Sequence, residues 1–201
     1  MFKGPRKFIF LFVITVMLGL GTGFSQAKEV MPLGPRNTKI EGSIPYTVIG
    51  KYEARFNDFR GWVALEDNLQ KVQSVYLEIQ AGSIKSNCPS CDKIARSRRL
   101  LNTVRYPKII FKSDRITLNK NGYKVEGVLD MHGIKRKIDF PFKIKIMNDH
   151  SDKHRTIVIH GVWSLNRKQF NIIWSRRLDQ NGLVVGDILT VNWEIRLDTS
   201  S

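Results

Sequence analysis

Cys88-Pro89-Ser90-Cys91 is the most pointed chemical motif in the chain, and it contains the only two cysteines. Three chemistries use that spacing. It closes a small disulfide, which an oxidising compartment favours. Placed just before a helix, it lowers one thiol's pKa and supports thiol–disulfide exchange. It also supplies half of a zinc site, but zinc needs two further ligands and there is no second Cys pair. Exchange catalysts of the thioredoxin type carry the motif in a βαβ unit, and the surrounding pattern contains none.

The histidines are His132, His150, His154 and His160. His150 and His154 share a polar stretch with Asp149 and Asp152, which reads as a loop or as a chance metal site. His132-Gly133 reads as a hairpin turn. Arg167 lies among large apolar neighbours and could pair with a ligand headgroup or with Asp187. A nucleophile elbow, a phosphate loop and a paired-carboxylate signal are all missing from the sequence, so the expectation is a binding protein and not an enzyme, with no metal or catalytic cofactor.

The elements that must position these residues are strands. Val75, Leu77 and Ile79 share one face of 74–80. Ile138, Phe140, Phe142, Ile144 and Ile146 alternate with Asp139, Pro141, Lys143 and Lys145. Ile157, Ile159, Gly161, Trp163 and Leu165 align, as do Leu189, Val191, Trp193, Ile195 and Leu197. One dry face and one wet face is the reading of antiparallel strands in a sandwich or a barrel. Asn121-Gly122 and Asn181-Gly182 supply tight turns. Met147 to His154 reads as a polar loop. Cys91 to Asn102 breaks the alternation. It is expected to be a short helix capped by Asp92, with Ile94, Leu101 and Val104 on its buried side, and it ends before Tyr106-Pro107. About eight strands result, with Phe111, Phe140, Phe142, Trp163 and Trp193 facing inward. Periodicity leaves open whether such residues fill the interior or line it.

The N-terminus has another character. Lys3, Arg6 and Lys7 precede an apolar run from Phe8 to Leu20, and Ser25-Gln26-Ala27 follows. That order predicts a cleaved signal peptide over 1–27, hence export to the periplasm. Pro32, Gly34 and Pro35 make 28–39 a flexible lead-in. Residues 40–199 form one domain. The net charge of +15 suits contact with anionic surfaces. Export argues against nucleic acid as the partner.

Several segments in order resemble the YceI-like family. Phe56-Asn57-Asp58-Phe59-Arg60-Gly61 is similar to its "F-x-D-F-x-G". Ser83-Ile84 follows, and Tyr106-Pro107-Lys108-Ile109-Ile110-Phe111-Lys112-Ser113 is similar to "Y-P-x-I-x-F-x-S". Tyr123 to Lys135 resembles "Y-x-V-x-G-x-L-T-I-H-G-V-T-K", Arg167 to Phe170 resembles "R-x-D-F", and Val185-Gly186-Asp187 matches "V-G-D". The chain departs from the pattern at Asp130 (usually Thr), Gln169 (usually acidic), Asn171 (usually Gly) and Leu100-Leu101 (often aromatic). The resemblance implies an all-β, eight-stranded antiparallel, lipocalin-like barrel with a short helical insertion, often dimeric. It also implies a polyisoprenoid, an isoprenoid quinone or a fatty-acid-like lipid held inside. The chain of that ligand is expected along Phe56, Phe111, Leu129, Phe140, Phe142, Trp163, Phe170, Trp174 and Trp193, with His132 and Arg167 near its headgroup. Gly161-Val162-Trp163 imitates the lipocalin "G-x-W" but falls too late in the chain to play that role.

Overall fold

The structure, a computed structural model, describes residues 28–46, 50–66, 71–148, 154–173 and 185–200. The segment read as a signal peptide, the Asn181-Gly182 turn, Trp174, His150 and the side chain of His154 lie outside the described residues.

Eleven strands follow one another: β1 (Lys28–Leu33), β2 (Thr38–Tyr46), β3 (Gly50–Phe56), β4 (Phe59–Glu66), β5 (Val72–Gln80), β6 (Ile84–Lys85), β7 (Lys108–Asn119), β8 (Gly122–Met131), β9 (Ile134–Asn148), β10 (His154–Asn166) and β11 (Ile188–Ser200). Among the described residues one α-helix, α1 (Pro89–Arg96), stands between β6 and β7. All pairings are antiparallel, and the order is β1-β4-β5-β7-β8-β9-β10-β11-β2-β3-β6.

This corrects the expected eight-stranded closed barrel. The sheet is a curled half-barrel whose hydrogen-bonded ladder has two ends, β1 and β6. The count rises because three long segments are each bent in two. Gly34 accepts the N–H groups of Asn37 and Thr38 in a turn that separates β1 from β2. Asn57-Asp58 separates β3 from β4. A one-turn 3-10 helix, Ala81–Ser83, separates β5 from β6. At these bends pairing changes partner: β2 lies against β11 and β3, whereas β1 lies against β4.

The lead-in expected over 28–39 is also corrected, because β1 occupies 28–33. Pro32 is tolerated there because β1 is an edge strand, where a missing N–H breaks no second ladder.

The alternating faces are otherwise as read, except that Ile146, expected on the inner face of β9, is exposed. Ile157, Ile159 and Leu165 of β10 are buried, as are Ile195 and Leu197 of β11, while Lys143 and Lys145 of β9 are exposed. β9 bridges two halves of the sheet: Ile134 to Phe142 pair with β8, and Lys143 to Asn148 pair with β10. The "polar loop" is shorter than read, since Met147 and Asn148 still belong to β9 and His154 already belongs to β10.

His132 and Gly133 form the β8–β9 turn with φ of 55° and 76°. Paired left-handed residues suit a two-residue hairpin. Gly133 is doubly constrained, since a Cβ there would lie 2.7 Å from the Tyr106 ring. Gly133→Ala is therefore expected to cost about 1–3 kcal/mol of stability, read as a lowered urea midpoint. An unchanged midpoint would show that the turn relaxes freely.

Candidate functional site

The inward faces of the curled sheet surround a cavity of about 250 Å³. Its wall is almost wholly apolar. Phe140 sits at the centre of an aromatic cluster, with ring centroids 5.3 Å from Phe111, 5.4 Å from Trp163 and 6.0 Å from Trp193. Phe142 joins at 6.1 Å from Trp193, and Tyr123 stacks on Phe142 at 5.1 Å. Offset and tilted pairs at these separations are favourable arrangements for aromatic rings.

Trp193 owes its place to Gly161, its cross-strand partner on β10. A Cβ at 161 would meet the indole at 2.7 Å. The missing side chain lets the ring lie flat on the neighbouring strand. The indole N–H is buried and has no hydrogen-bond partner among the described residues. Buried donors are normally satisfied, so this one stands out in an apolar wall.

The sequence expectation placed Phe56, Phe111, Leu129, Phe140, Phe142, Trp163 and Trp193 around an interior, and all of them line this cavity. Two other expectations differ. Phe170 is fully buried but belongs to the packed core beneath the second 3-10 helix, Arg167–Phe170, and not to the cavity wall. His132 does not reach the wall either. It packs on Tyr106 at 4.3 Å, and its Nδ1 is 3.1 Å from the Phe170 carbonyl.

Arg167 lines the cavity, but its guanidinium is held by the protein. Nε donates to Gly186 O at 2.8 Å, Nη1 to Ile172 O, and Nη2 to Val185 O and to Asp187 Oδ1 at 3.0 Å. Of the two roles open to it, the structural pairing with Asp187 is the one observed. One cation thus ties Ile172 to Val185–Asp187 from the end of β10. Asn171 beside it has φ 53°. Asn is the residue after Gly that best tolerates that conformation, so the departure from the family's glycine keeps the backbone shape.

The helix differs from its expected form. α1 covers Pro89–Arg96 and its N-cap is Cys88, not Asp92. Pro89 at the first helical position fixes the start. Cys88 and Cys91 form a disulfide, and Cys88 Sγ also accepts the Cys91 N–H at 3.3 Å. Asp92 is buried and takes hydrogen bonds from Ser86 Oγ, the Ser86 N–H and Tyr52 Oη. Burial opposes its charge, but the Ser86 and Tyr52 hydrogen bonds prevail and hold its carboxyl below the usual range. Burial, helped by Asp92, pushes the Tyr52 phenol up to about 12. Tyr52, Ile84, Ala95, Leu100 and Leu101 carry the cavity wall onto α1 and the loop after it. Sequence reading assigned only Leu101 of these to a buried face. Val104, assigned to the same face, is 93% exposed instead.

Comparison with known proteins agrees with this architecture. The YceI-like domain profile matches residues 32–197, and the chain belongs to the YceI-like family. It is 29% identical to a UPF0312 protein of Yersinia pestis (strain Pestoides F) over 89 residues, 44% of this chain and 46% of that one. A UPF0312 protein of Yersinia enterocolitica matches at the same identity and coverage. The match thus spans about half the length of these relatives. Among solved structures, BcnA of Burkholderia cenocepacia superposes with a TM-score of 0.66 at 19% identity, covering 80% of this chain and 96% of that one. The YceI protein of Campylobacter jejuni gives 0.59 at 13%, covering 76% and 86%. A polyisoprenoid binding domain from Saccharophagus degradans gives 0.59 at 12%, covering 86% and 98%. At these identities the likeness is one of fold.

Two outcomes test this description. Arg167→Met should lower stability by about 3 kcal/mol, because it strands several buried carbonyls; a denaturation midpoint matching the wild type would mean the clamp is idle. The second concerns pH. Burial pushes the His132 imidazole below its ordinary 6.5, against the pull of the Phe170 carbonyl and with help from Arg105. The unfolded chain then binds this proton more readily than the folded one. Stability is therefore full above pH about 6.5 and falls as pH drops below it. His132→Asn, which keeps a residue tolerant of positive φ, should flatten that fall in urea titrations; an unchanged slope would assign the pH dependence elsewhere.

Proposed function

We propose that the chain is an exported lipid-binding protein that holds a long-chain amphiphile within its curled sheet. The observation that carries this reading is the cavity: an interior lined by large apolar side chains from nearly every strand and left unfilled by them. A preformed apolar cavity with few polar groups is the form ligand sites take. Each buried CH₂ of a chain contributes roughly 0.8 kcal/mol, so affinity needs no ion pair. Among the described residues the one wall cation, Arg167, is already committed to protein oxygens.

The ligand class we infer is an isoprenoid quinone, another polyisoprenoid or a fatty-acid-like lipid, whose chain the apolar wall would take up. The Saccharophagus degradans neighbour, described as a polyisoprenoid binding domain, supports the same class. Periplasmic residence is supported by the basic-apolar-small order of 1–27 and by the Cys88–Cys91 disulfide. Thiol–disulfide exchange is the weaker reading of that pair, because the ionised Asp92 next to Cys91 disfavours a thiolate. No catalytic step is assigned, and dimer formation through a sheet edge is a further part of the proposal.

Native mass spectrometry of gently purified protein should show a hydrophobic adduct that organic solvent extracts. Val191→Trp, which adds bulk to the wall, should abolish the adduct while the circular dichroism stays that of a β protein. A clean apo mass for the wild type, or an adduct untouched by Val191→Trp, would sink the reading.

A further inference from the structure

The pairing registers divide the barrel into two ends. At one end lie the loop after α1, the β8–β9 turn at His132 and the 3-10 helix at Arg167. They touch one another: Gly133 meets the Tyr106 ring, and His132 meets the Phe170 carbonyl. At the other end lie the β7–β8 turn and the junction where Lys71 bonds Glu66.

The stretch running through α1 and the loop after it is strongly basic. Lys93, Arg96, Arg98, Arg99, Arg105 and Lys108 fall in one stretch that contains no acidic residue. Arg96 is used internally on Ile84 O, and Lys108 pairs with the buried Glu78. Lys93, Arg98 and Arg99 are exposed, with no ion pair among the described residues. Three unpaired cations therefore face outward from one short segment.

That segment is also rigid. Leu101 N–H bonds Ala95 O, Asn102 N–H bonds Ser97 O, Thr103 N–H bonds Arg96 O, and Tyr106 N–H bonds Asn102 O. The tight loop carries Val104 at its tip, 93% exposed, while Leu100 and Leu101 on its other side line the cavity. One exposed valine is ordinary by itself. An exposed apolar side chain on a hydrogen-bonded loop, in the same short segment as three exposed cations with no ion pair among the described residues, suits a charged surface with an apolar layer beneath it. Anionic lipid attracts the cations, and the interface below the headgroups accepts the valine.

The geometry points to the 93–108 segment as a docking surface for an anionic phospholipid membrane, set so that the α1 end of the cavity meets the bilayer. This builds on the lipid-binding reading for its purpose but not for its physics, since docking needs no ligand in the cavity.

The experiment is cosedimentation of the full-length mature protein with phosphatidylcholine vesicles, with and without phosphatidylglycerol, at low and at high salt. Binding is expected only with phosphatidylglycerol, and it should weaken as salt screens the charges. Arg98→Glu/Arg99→Glu should lose about tenfold or more of that binding. Val104→Asp should lose binding several-fold. Lys143→Glu/Lys145→Glu, the same charge change on exposed β9 positions nearer the other end, should lose little. Equal losses from the two charge-reversed pairs, or no loss from Arg98→Glu/Arg99→Glu, would overturn the assignment. Mass spectrometry of each variant separates the two proposals: a retained hydrophobic adduct with lost vesicle binding isolates the docking surface, and vesicle binding by adduct-free protein leaves docking standing if the cavity reading fails.

Discussion

The curl of one sheet around an apolar interior is the constraint on which the rest depends. Each strand presents one apolar face, and those faces must leave water. A flat sheet would need a second layer to cover them. Here the sheet bends until its own faces meet, helped by breaks at Gly34–Asn37, Asn57-Asp58 and Ala81–Ser83. The cost of this solution is an interior that side chains do not fill. Phe140 and its neighbours pack edge on ring around a cavity. Gly161 lets Trp193 press against the neighbouring strand and keeps the space open.

The polar features serve that enclosure. Arg167 gathers the carbonyls of Ile172, Val185 and Gly186 at one end of the interior. Asp92 fixes α1 to Tyr52 and Ser86, and the Cys88–Cys91 disulfide closes the helix's first turn. These groups are satisfied by the protein and turned away from chemistry. Among the described residues, what the interior presents is a large apolar wall.

Much of this was legible in the sequence because period-two alternation reports directly on a sheet with one dry face. Strands β5 and β8 to β11, the His132-Gly133 turn and seven wall residues could be read that way. Other features had no local signal. The change of pairing partner at the three bends depends on which strands meet across the sheet and not on residue type. Pro32 and Pro35 signalled a lead-in, because nothing local marks β1 as an edge strand where proline is harmless. The helix cap was set four residues late, at Asp92 and not Cys88, because Asp is a commoner cap than cysteine. The fate of Val104 depends on how the loop turns after Arg96, through hydrogen bonds that composition does not specify. Arg167 was read as an unusual cation among apolar neighbours, but its partners are backbone carbonyls, which leave no trace in residue type.

The central claim is that the interior is a ligand cavity and not a loosely drawn core. A crystal structure of protein purified without detergent or organic solvent tests it most directly. The account predicts continuous elongated density along Phe140, Phe111 and Leu129. An interior closed by rotated side chains, with no density between these walls, would contradict it.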